Sequence, residues 1–149
     1  MASTNADSYT RRFVPNQGNG NGIVLVSKLT VAANPTANDT IKLFHENDIK
    51  GMRLVDLKIG ATADMDTNGA PTLTVTLRAN DDSTQQNFIA ASTVLQGTTA
   101  ATGPGLGAAI GYKFTGTHWF ELLWAAAASG TFTAATVYVV AIFVRDHNA

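Results

Sequence analysis

Short segments in which apolar and polar residues alternate constrain the fold of this chain more than any other feature. The alternation is clearest over residues 72–79, where aliphatic residues take every second position. The aliphatic set is Leu73, Val75 and Leu77, and the polar set is Thr72, Thr74, Thr76 and Arg78. Because successive side chains of a β-strand point to opposite faces, this pattern predicts a strand with one face in the core and the other towards solvent.

Six more segments have the composition and length of β-strands. They cover residues 23–31, 40–44, 52–60, 110–115, 118–125 and 131–144. In the segment 52–60, strict alternation places Met52, Leu54 and Asp56 on one face and Arg53, Val55, Leu57 and Ile59 on the other. Turn-forming pairs separate the segments, among them Asn34-Pro35, Asn38-Asp39, Thr115-Gly116 and Ser129-Gly130.

Two segments between the predicted strands need their own interpretation. Residues 66–69 (DTNG) precede the strand 72–79, and Asn-Gly between two strand patterns predicts a β-hairpin because both residues tolerate positive φ. Residues 85–97 carry apolar residues at helical spacing, but β-branched Thr93 and Val94 disfavour a helix there. A short helix and an irregular loop therefore both remain open for 85–97.

The number and spacing of these segments define the expected architecture. Seven or eight strands with at most one short helix predict an all-β protein, an antiparallel β-sandwich of jelly-roll type. The length of 149 residues fits one domain. Residues 1–21 are polar and end in a run of Asn, Gln and Gly, which cannot bury enough apolar area to fold alone. We expect an extended N-terminal arm over 1–21 and a β-sandwich domain over 22–149.

The charge balance bears on possible partners. Charged residues make up only 14% of the chain, and ten Lys and Arg oppose eleven Asp and Glu. Because affinity for nucleic acid depends on a basic excess that neutralises phosphates, we expect no nucleic-acid partner. No apolar run reaches the roughly 20 residues that span a bilayer, so we expect no membrane partner. A surface with so little charge favours packing with other chains.

No group of residues predicts catalysis. The chain has no cysteine and no Gly-x-Ser-x-Gly motif, and its three histidines stand far apart, at His45, His118 and His147. Residues 103–107 (GPGLG) lack the Lys-Ser/Thr pair that follows a phosphate-binding loop, so we interpret them as a turn or a flexible loop. The prediction is a protein that is not an enzyme and needs no cofactor.

One motif is similar to part of a metal site. Asp64, Asp66 and Asn68, followed by Gly69, match the start of a calcium loop, whose oxygen ligands suit a hard cation. The twelfth position of such a loop requires a bidentate Glu, and here it is Val75. We therefore favour a hairpin turn and predict no metal, with Asp64, Asp66 and Asn68 as the candidates for a weak calcium or magnesium contact.

The two tryptophans are candidates for an interface between subunits. Trp119 and Trp124 lie five residues apart on one predicted strand, so they point to opposite faces. We expect one in the core and the other at an interface, where tryptophan is enriched. The full set of predicted interface residues is Trp119, Trp124, Arg11, Arg12 and Phe13.

Several stretches occur together in a fixed order along the chain. They are DTIKL (39–43), MRLVDLKIG (52–60), LTVTL (73–77), GLG (105–107), GYKF (111–114), AAAASGTF (125–132) and VYVVAIFV (137–144). In this order they resemble small β-sandwich virion proteins of tailed bacteriophages, the capsid decoration (cement) and minor structural proteins. The resemblance covers roughly residues 39–144.

The resemblance implies a role as well as a fold. A protein of this family binds the outside of a capsid as a homotrimer and stabilises the shell by bridging subunits of the phage major capsid protein. The expected location is the capsid surface of the virion, after assembly in the host cytoplasm. Two alternatives stay open: a tail, fibre or baseplate module, and a carbohydrate-binding jelly-roll adhesin that uses residues 64–68.

Overall fold

The computed structural model describes residues 3–5, 22–97 and 111–145 of the chain. Its strands are β1 (Ser3–Asn5), β2 (Ile23–Val31), β3 (Thr40–Phe44), β4 (Met52–Ala61), β5 (Thr74–Asn80), β6 (Gln85–Ser92), β7 (Trp119–Ala126) and β8 (Ala135–Arg145). A four-residue helix, α1 (Glu46–Ile49), follows β3, and a 3₁₀ turn (Val94–Gln96) follows β6. The all-β prediction is confirmed. No helix in these ranges is long and apolar enough to cross a membrane.

The strands form two sheets that enclose one core. Sheet A has the order β1-β3-β7-β5-β6, and sheet B has the order β2-β8-β4. Neighbouring strands run antiparallel, except that β1 runs parallel to β3 over three residues. Inward side chains of both sheets meet in the core, where Leu73, Val75 and Leu77 are fully buried as predicted.

Residues 111–114 extend sheet B beyond β4. The backbone N–H of Leu54 donates to the carbonyl of Tyr112, and the N–H of Phe114 donates to the carbonyl of Met52. With this segment in fourth place, sheet B and the strands β3-β7-β5-β6 of sheet A have the strand order of a jelly roll. From β2 to β8, every connection crosses between the sheets except the β5–β6 hairpin. The segment is shorter than the strand predicted at 110–115, and residue 110 lies outside the described residues.

The alternation predicted for residues 52–60 is wrong beyond Leu54. The pairing of β4 with β8 shifts register between Leu54 and Asp56, so Val55 is the extra residue of a β-bulge. The bulge reverses the two faces from that point on. As a result, the buried residues of β4 are Met52, Leu54, Leu57 and Ile59.

Residues 85–97 form neither of the two structures considered for them. Most of the segment is strand β6, and only its end makes a 3₁₀ turn. Two register shifts interrupt the pairing of β6 with β5. Each shift interrupts the alternation of inward and outward side chains, so β6 buries the adjacent residues Phe88 and Ile89. The apolar residues of β6 therefore occur at a spacing similar to that of a helix.

The hairpin predicted at residues 66–69 is also wrong. β4 and β5 belong to different sheets, so the loop between them crosses the sandwich. The hairpin lies instead between β5 and β6, where Asp82 takes a φ of 70°. Asp81 Oδ1 holds this turn by accepting the backbone N–H groups of Ser83 and Thr84. The turn contains no glycine, so the sequence lacks the usual signal for a tight hairpin at this position.

Candidate assembly surfaces

Sheet B carries an apolar surface on the side turned away from the core. The residues that form it are Val24, Val26, Val55, Tyr138, Val140, Ile142 and Val144, and we call it the valine face. Val24 and Val26 are 56% and 48% exposed. The face is continuous, because the register places Val24 opposite Ile142 and Val26 opposite Val140. Contiguous exposed apolar surface on a folded chain marks an interaction site.

Charged residues border the valine face. Lys28 stands opposite Tyr138 on the β2 side, and the other charged residues lie on β4. Arg53 donates from Nη1 to the carbonyl oxygen of Gly111 at 2.8 Å. The Lys58 ammonium lies 3.9 Å from Asp56 Oδ2, an exposed ion pair. These four residues are three cations and one carboxylate, with a net charge of +2.

Sequence reasoning missed this face, although the signal was present. Strands of an antiparallel sheet with one solvated side alternate, whereas strands buried on both sides consist of continuous apolar runs. Residues 23–26 (IVLV) and 137–144 (VYVVAIFV) are such runs. They lie next to each other as β2 and β8. Their composition is that of strands covered on both faces, while only one face is covered within the described chain.

The outer side of sheet A is organised around Glu121. Its Oε1 accepts hydrogen bonds from Arg78 Nε at 2.7 Å and Asn80 Nδ2 at 2.9 Å. Its Oε2 accepts from Trp119 Nε1 at 2.7 Å. Arg78 donates further to Gln85 Oε1 at 2.8 Å. The carboxylate of Glu121, which is 1% exposed, is thereby neutralised and hydrogen-bonded on both oxygens.

The register of three strands brings this network together. Glu121 on β7 pairs with Lys42 on β3 and with Arg78 on β5. The Lys42 ammonium lies 3.7 Å from the centre of the Trp119 ring, within cation–π distance. The prediction that this face of residues 72–79 meets solvent is wrong for Thr76 and Arg78, since both are buried.

Both tryptophans have roles inside the chain. They point to opposite faces of β7 as predicted, Trp124 into the core and Trp119 into the Glu121 network. Trp124 is 2% exposed and also lines a groove of about 260 Å³ between β2 and β3. Trp119 is 8% exposed, so little of either ring is left for a partner. Their predicted place in an interface stays a prediction, as does that of Arg11, Arg12 and Phe13, which lie outside the described residues.

Asp66 anchors the loop that crosses from β4 to β5. Its Oδ2 accepts the backbone N–H groups of Thr72, Leu73 and Ser129 at 2.8–3.2 Å. Burial raises the pKa of Asp66. Hydrogen bonds from the backbone N–H groups of Leu73, Thr72, Ser129 and Asn68 together lower the pKa by more than burial raises it, so the pKa lies below its usual value. The carboxylate is thus held as an anion by backbone donors.

Two of the three candidate metal ligands make hydrogen bonds within the chain. Asn68 Nδ2 donates to the Ser129 carbonyl and hydroxyl, and Asp66 is occupied by N–H donors. Asp64 Oδ1 is buried without a hydrogen-bond partner among the described residues. Within residues 22–97 and 111–145, no three His, Asp or Glu side chains are grouped to hold a metal ion. The prediction of metal independence is one that a chelator would test.

A second low-pKa carboxylate lies in the β5–β6 turn. Asp81 Oδ1 accepts the N–H and hydroxyl groups of Thr84 and Ser83 at 2.6–3.0 Å, and these bonds lower its pKa well below the usual range. His118 Nε2 lies 3.5 Å from Asp81 Oδ2 and 2.9 Å from Thr84 Oγ1. The turn is therefore tied to the residue that precedes β7.

Comparison with solved structures identifies proteins that share this fold. No family model and no curated protein matches the sequence. A chain from the capsid of Ralstonia phage GP4 is 21% identical, with a TM-score of 0.79 over 97% of this chain and 99% of that chain. A chain from the cyanophage Pam1 capsid asymmetric unit is 21% identical, with a TM-score of 0.72 over 89% and 91% of the two chains. This protein has the fold of these two phage capsid chains.

Proposed function

We propose that this protein is a structural component of a phage capsid, bound to the outside of the shell, where it bridges major capsid subunits. The observation that carries the proposal is the fold shared over 97% of the chain with a chain of the GP4 capsid. The order of sequence stretches that resembles decoration proteins supports the same role independently of the structure.

The surface of the chain is consistent with a role in assembly. The valine face offers contiguous apolar area for a partner. The polar groups with strong hydrogen bonds, Glu121 and Asp66, use them to hold strands and loops in place. In this role the protein carries out no reaction and uses no cofactor, and its location is the capsid surface of a virion assembled in the host cytoplasm.

We further propose that it acts as a closed homotrimer. Closed symmetry joins copies of one chain without open-ended growth. Three linked copies also engage a shell together, so that individually weak contacts add through effective concentration. Light scattering at micromolar concentration should give three times the chain mass. A monomer mass would contradict a closed oligomer, and a dimer mass would contradict the threefold symmetry.

Binding to shells tests the main proposal. Capsid shells assembled without the protein are mixed with the purified chain, and bound copies are counted after sedimentation. We expect saturable binding and a higher temperature of shell disruption. Tails purified without heads are the control and should bind none. Uptake by tails instead of shells would overturn the proposal in favour of a tail module.

A further inference from the structure

The size of the valine face limits what can bind there. Adjacent strands stand about 4.8 Å apart and β8 rises about 3.3 Å for each residue from Tyr138 to Val144, so the three strands present roughly 330 Å². A stable pair of proteins buries about 800 Å² on each side. The face alone therefore supplies less than half of the area that two free molecules need to remain associated.

The border of the face disfavours a second copy of the same face. Lys28, Arg53 and Lys58 outnumber the one carboxylate, Asp56. Two such faces packed together would bring cations close to each other at a surface from which water is excluded, and like-charge contacts of this kind cost free energy. An apolar patch bordered by carboxylates would be attracted by the same residues.

The face is also well ordered before binding. Branching at Cβ restricts the χ1 angle of valine, and the valines stand in register beside Ile142 and Val140 on the neighbouring strand. The bulge at Val55 adds one more branched side chain to the same side of β4. Little conformational entropy remains to be lost, so a small area contributes efficiently to affinity.

We propose that the valine face is the surface by which this protein attaches to its shell, and that its occupant is an apolar patch bordered by Asp and Glu on the repeated shell subunits. This inference rests on the proposed function. A small face suits that setting, because several copies in one oligomer contact the lattice together and their weak contacts reinforce one another.

Three variants and the shell-binding measurement test this proposal. Val26→Asp places a charge in the apolar part of the face, and Lys28→Glu with Lys58→Glu reverses the border without touching the core. Asn87→Asp adds the same charge as Val26→Asp at an exposed site on sheet A and is the matched control. We expect at least tenfold weaker shell binding for the first two and unchanged binding for the control. Circular dichroism and melting temperature establish that each variant is folded.

Salt dependence and oligomer mass separate the outcomes. Binding of the wild type should weaken between 50 and 500 mM salt, and binding of the border variant should not. If the wild type binds shells and the folded variants bind equally well, the inference is overturned and the proposed function stands. A fall in oligomer mass for Val26→Asp would assign the face to a second copy and also overturn it. Failure of the wild type to bind any shell would overturn the proposed function.

Discussion

Glu121 carries more of the organisation of sheet A than any other charged residue described here. One carboxylate receives a guanidinium, an amide and an indole N–H, from β5 and from β7 itself. Hydrogen bonds to an ionised group are shorter and stronger than neutral ones. Because Arg78 is also buried, loss of Glu121 would leave a cation with only Gln85 as its remaining hydrogen-bond partner among the bonds described above.

We expect Glu121→Ala to lower the free energy of unfolding by about 3 kcal/mol or more, as found for a buried charge left without its partner. The double variant Glu121→Ala with Arg78→Met should cost less than the sum of the two single changes, because it removes both charges. Lys58→Ala breaks the exposed pair with Asp56 and should cost less than about 1 kcal/mol. Urea unfolding of the wild type and of these four variants measures this, and equal costs at the two pairs would contradict the role given to Glu121.

Asp66 and Asp81 make the stability of the fold depend on pH. Both have a pKa lowered in the folded chain by backbone hydrogen bonds, so the folded state binds fewer protons than the unfolded state in acid. Such a group stabilises the fold above its unfolded pKa, about 3.9 for Asp, and loses that contribution as the pH falls towards the folded pKa.

We therefore expect the free energy of unfolding to decline as the pH is lowered from about 5 to about 2. Asp66→Asn should reduce stability at pH 7 and make the decline less steep, because the amide cannot accept the same set of N–H donors as an anion. Asp82→Asn, in the exposed part of the β5–β6 turn, is the control and should leave the decline unchanged. Urea midpoints at pH 7, 5, 4 and 3 measure the effect, and a steeper decline for Asp66→Asn would refute it.

At the scale of elements, sequence patterns predict strands that run without interruption. The bounds of β2 and β3 agree with the predicted segments, because the turn-forming pairs Asn34-Pro35 and Asn38-Asp39 lie between them. The pattern fails at β4 and β6, where bulges insert residues without any marker in the composition. Crossing connections are equally hidden, since a loop sequence does not reveal whether its strands share a sheet. The positions of most strands could thus be predicted from the sequence. The bulges and the paths of the loops could be found only from the pairing of the strands in the structure.

The candidate surfaces were less predictable than the strands. The sequence placed the two tryptophans on opposite sides of their strand, but the bond of Trp119 to Glu121 depends on a register that sequence spacing does not determine. The valine face arises from two apolar runs that are distant in sequence and adjacent in space. A pattern read one strand at a time does not show such a surface.

The bulge in β6 leads to a prediction of its own. Ala91 has a φ of 45°, a left-handed conformation that costs a residue with a Cβ roughly 1–2 kcal/mol. Ala91→Gly should therefore raise the free energy of unfolding by about 0.5–1 kcal/mol, after the added freedom of the unfolded chain is counted. Ala90→Gly, at the preceding exposed position, should lower it by a similar amount. Thermal unfolding of both variants measures this, and destabilisation by Ala91→Gly would contradict it.

At the scale of the whole molecule, the β-sandwich domain and the N-terminal segment make different contributions. The core residues among the described ranges all lie between positions 23 and 143. Of residues 1–21, the structure describes Ser3–Asn5, which add a short parallel strand at the edge of β3. β1 lies at the edge of sheet A, and the strands that carry these core residues pair with one another without it.

A chain that begins at Gly22 should keep its fold and bind shells poorly. We expect its melting temperature to stay within a few degrees of the full chain, because a three-residue edge strand contributes little to stability, while the predicted interface residues Arg11, Arg12 and Phe13 are lost. Changing these three residues to alanine in the full chain separates their effect from that of β1. Shell binding at full strength by the shortened chain would refute an attachment role for the arm.

The central position of β8 determines when during synthesis the valine face can form. β8 is the last of the described strands and lies between β2 and β4, and it supplies four of the seven residues of the valine face. Pairings between distant segments form slowly, because the entropy of closing a long loop must be overcome first. Because β2 and β4 both pair with β8, sheet B cannot form during synthesis until the ribosome has delivered β8. Nascent or truncated chains without β8 lack the surface we assign to attachment, so they cannot compete with folded molecules for positions on a shell.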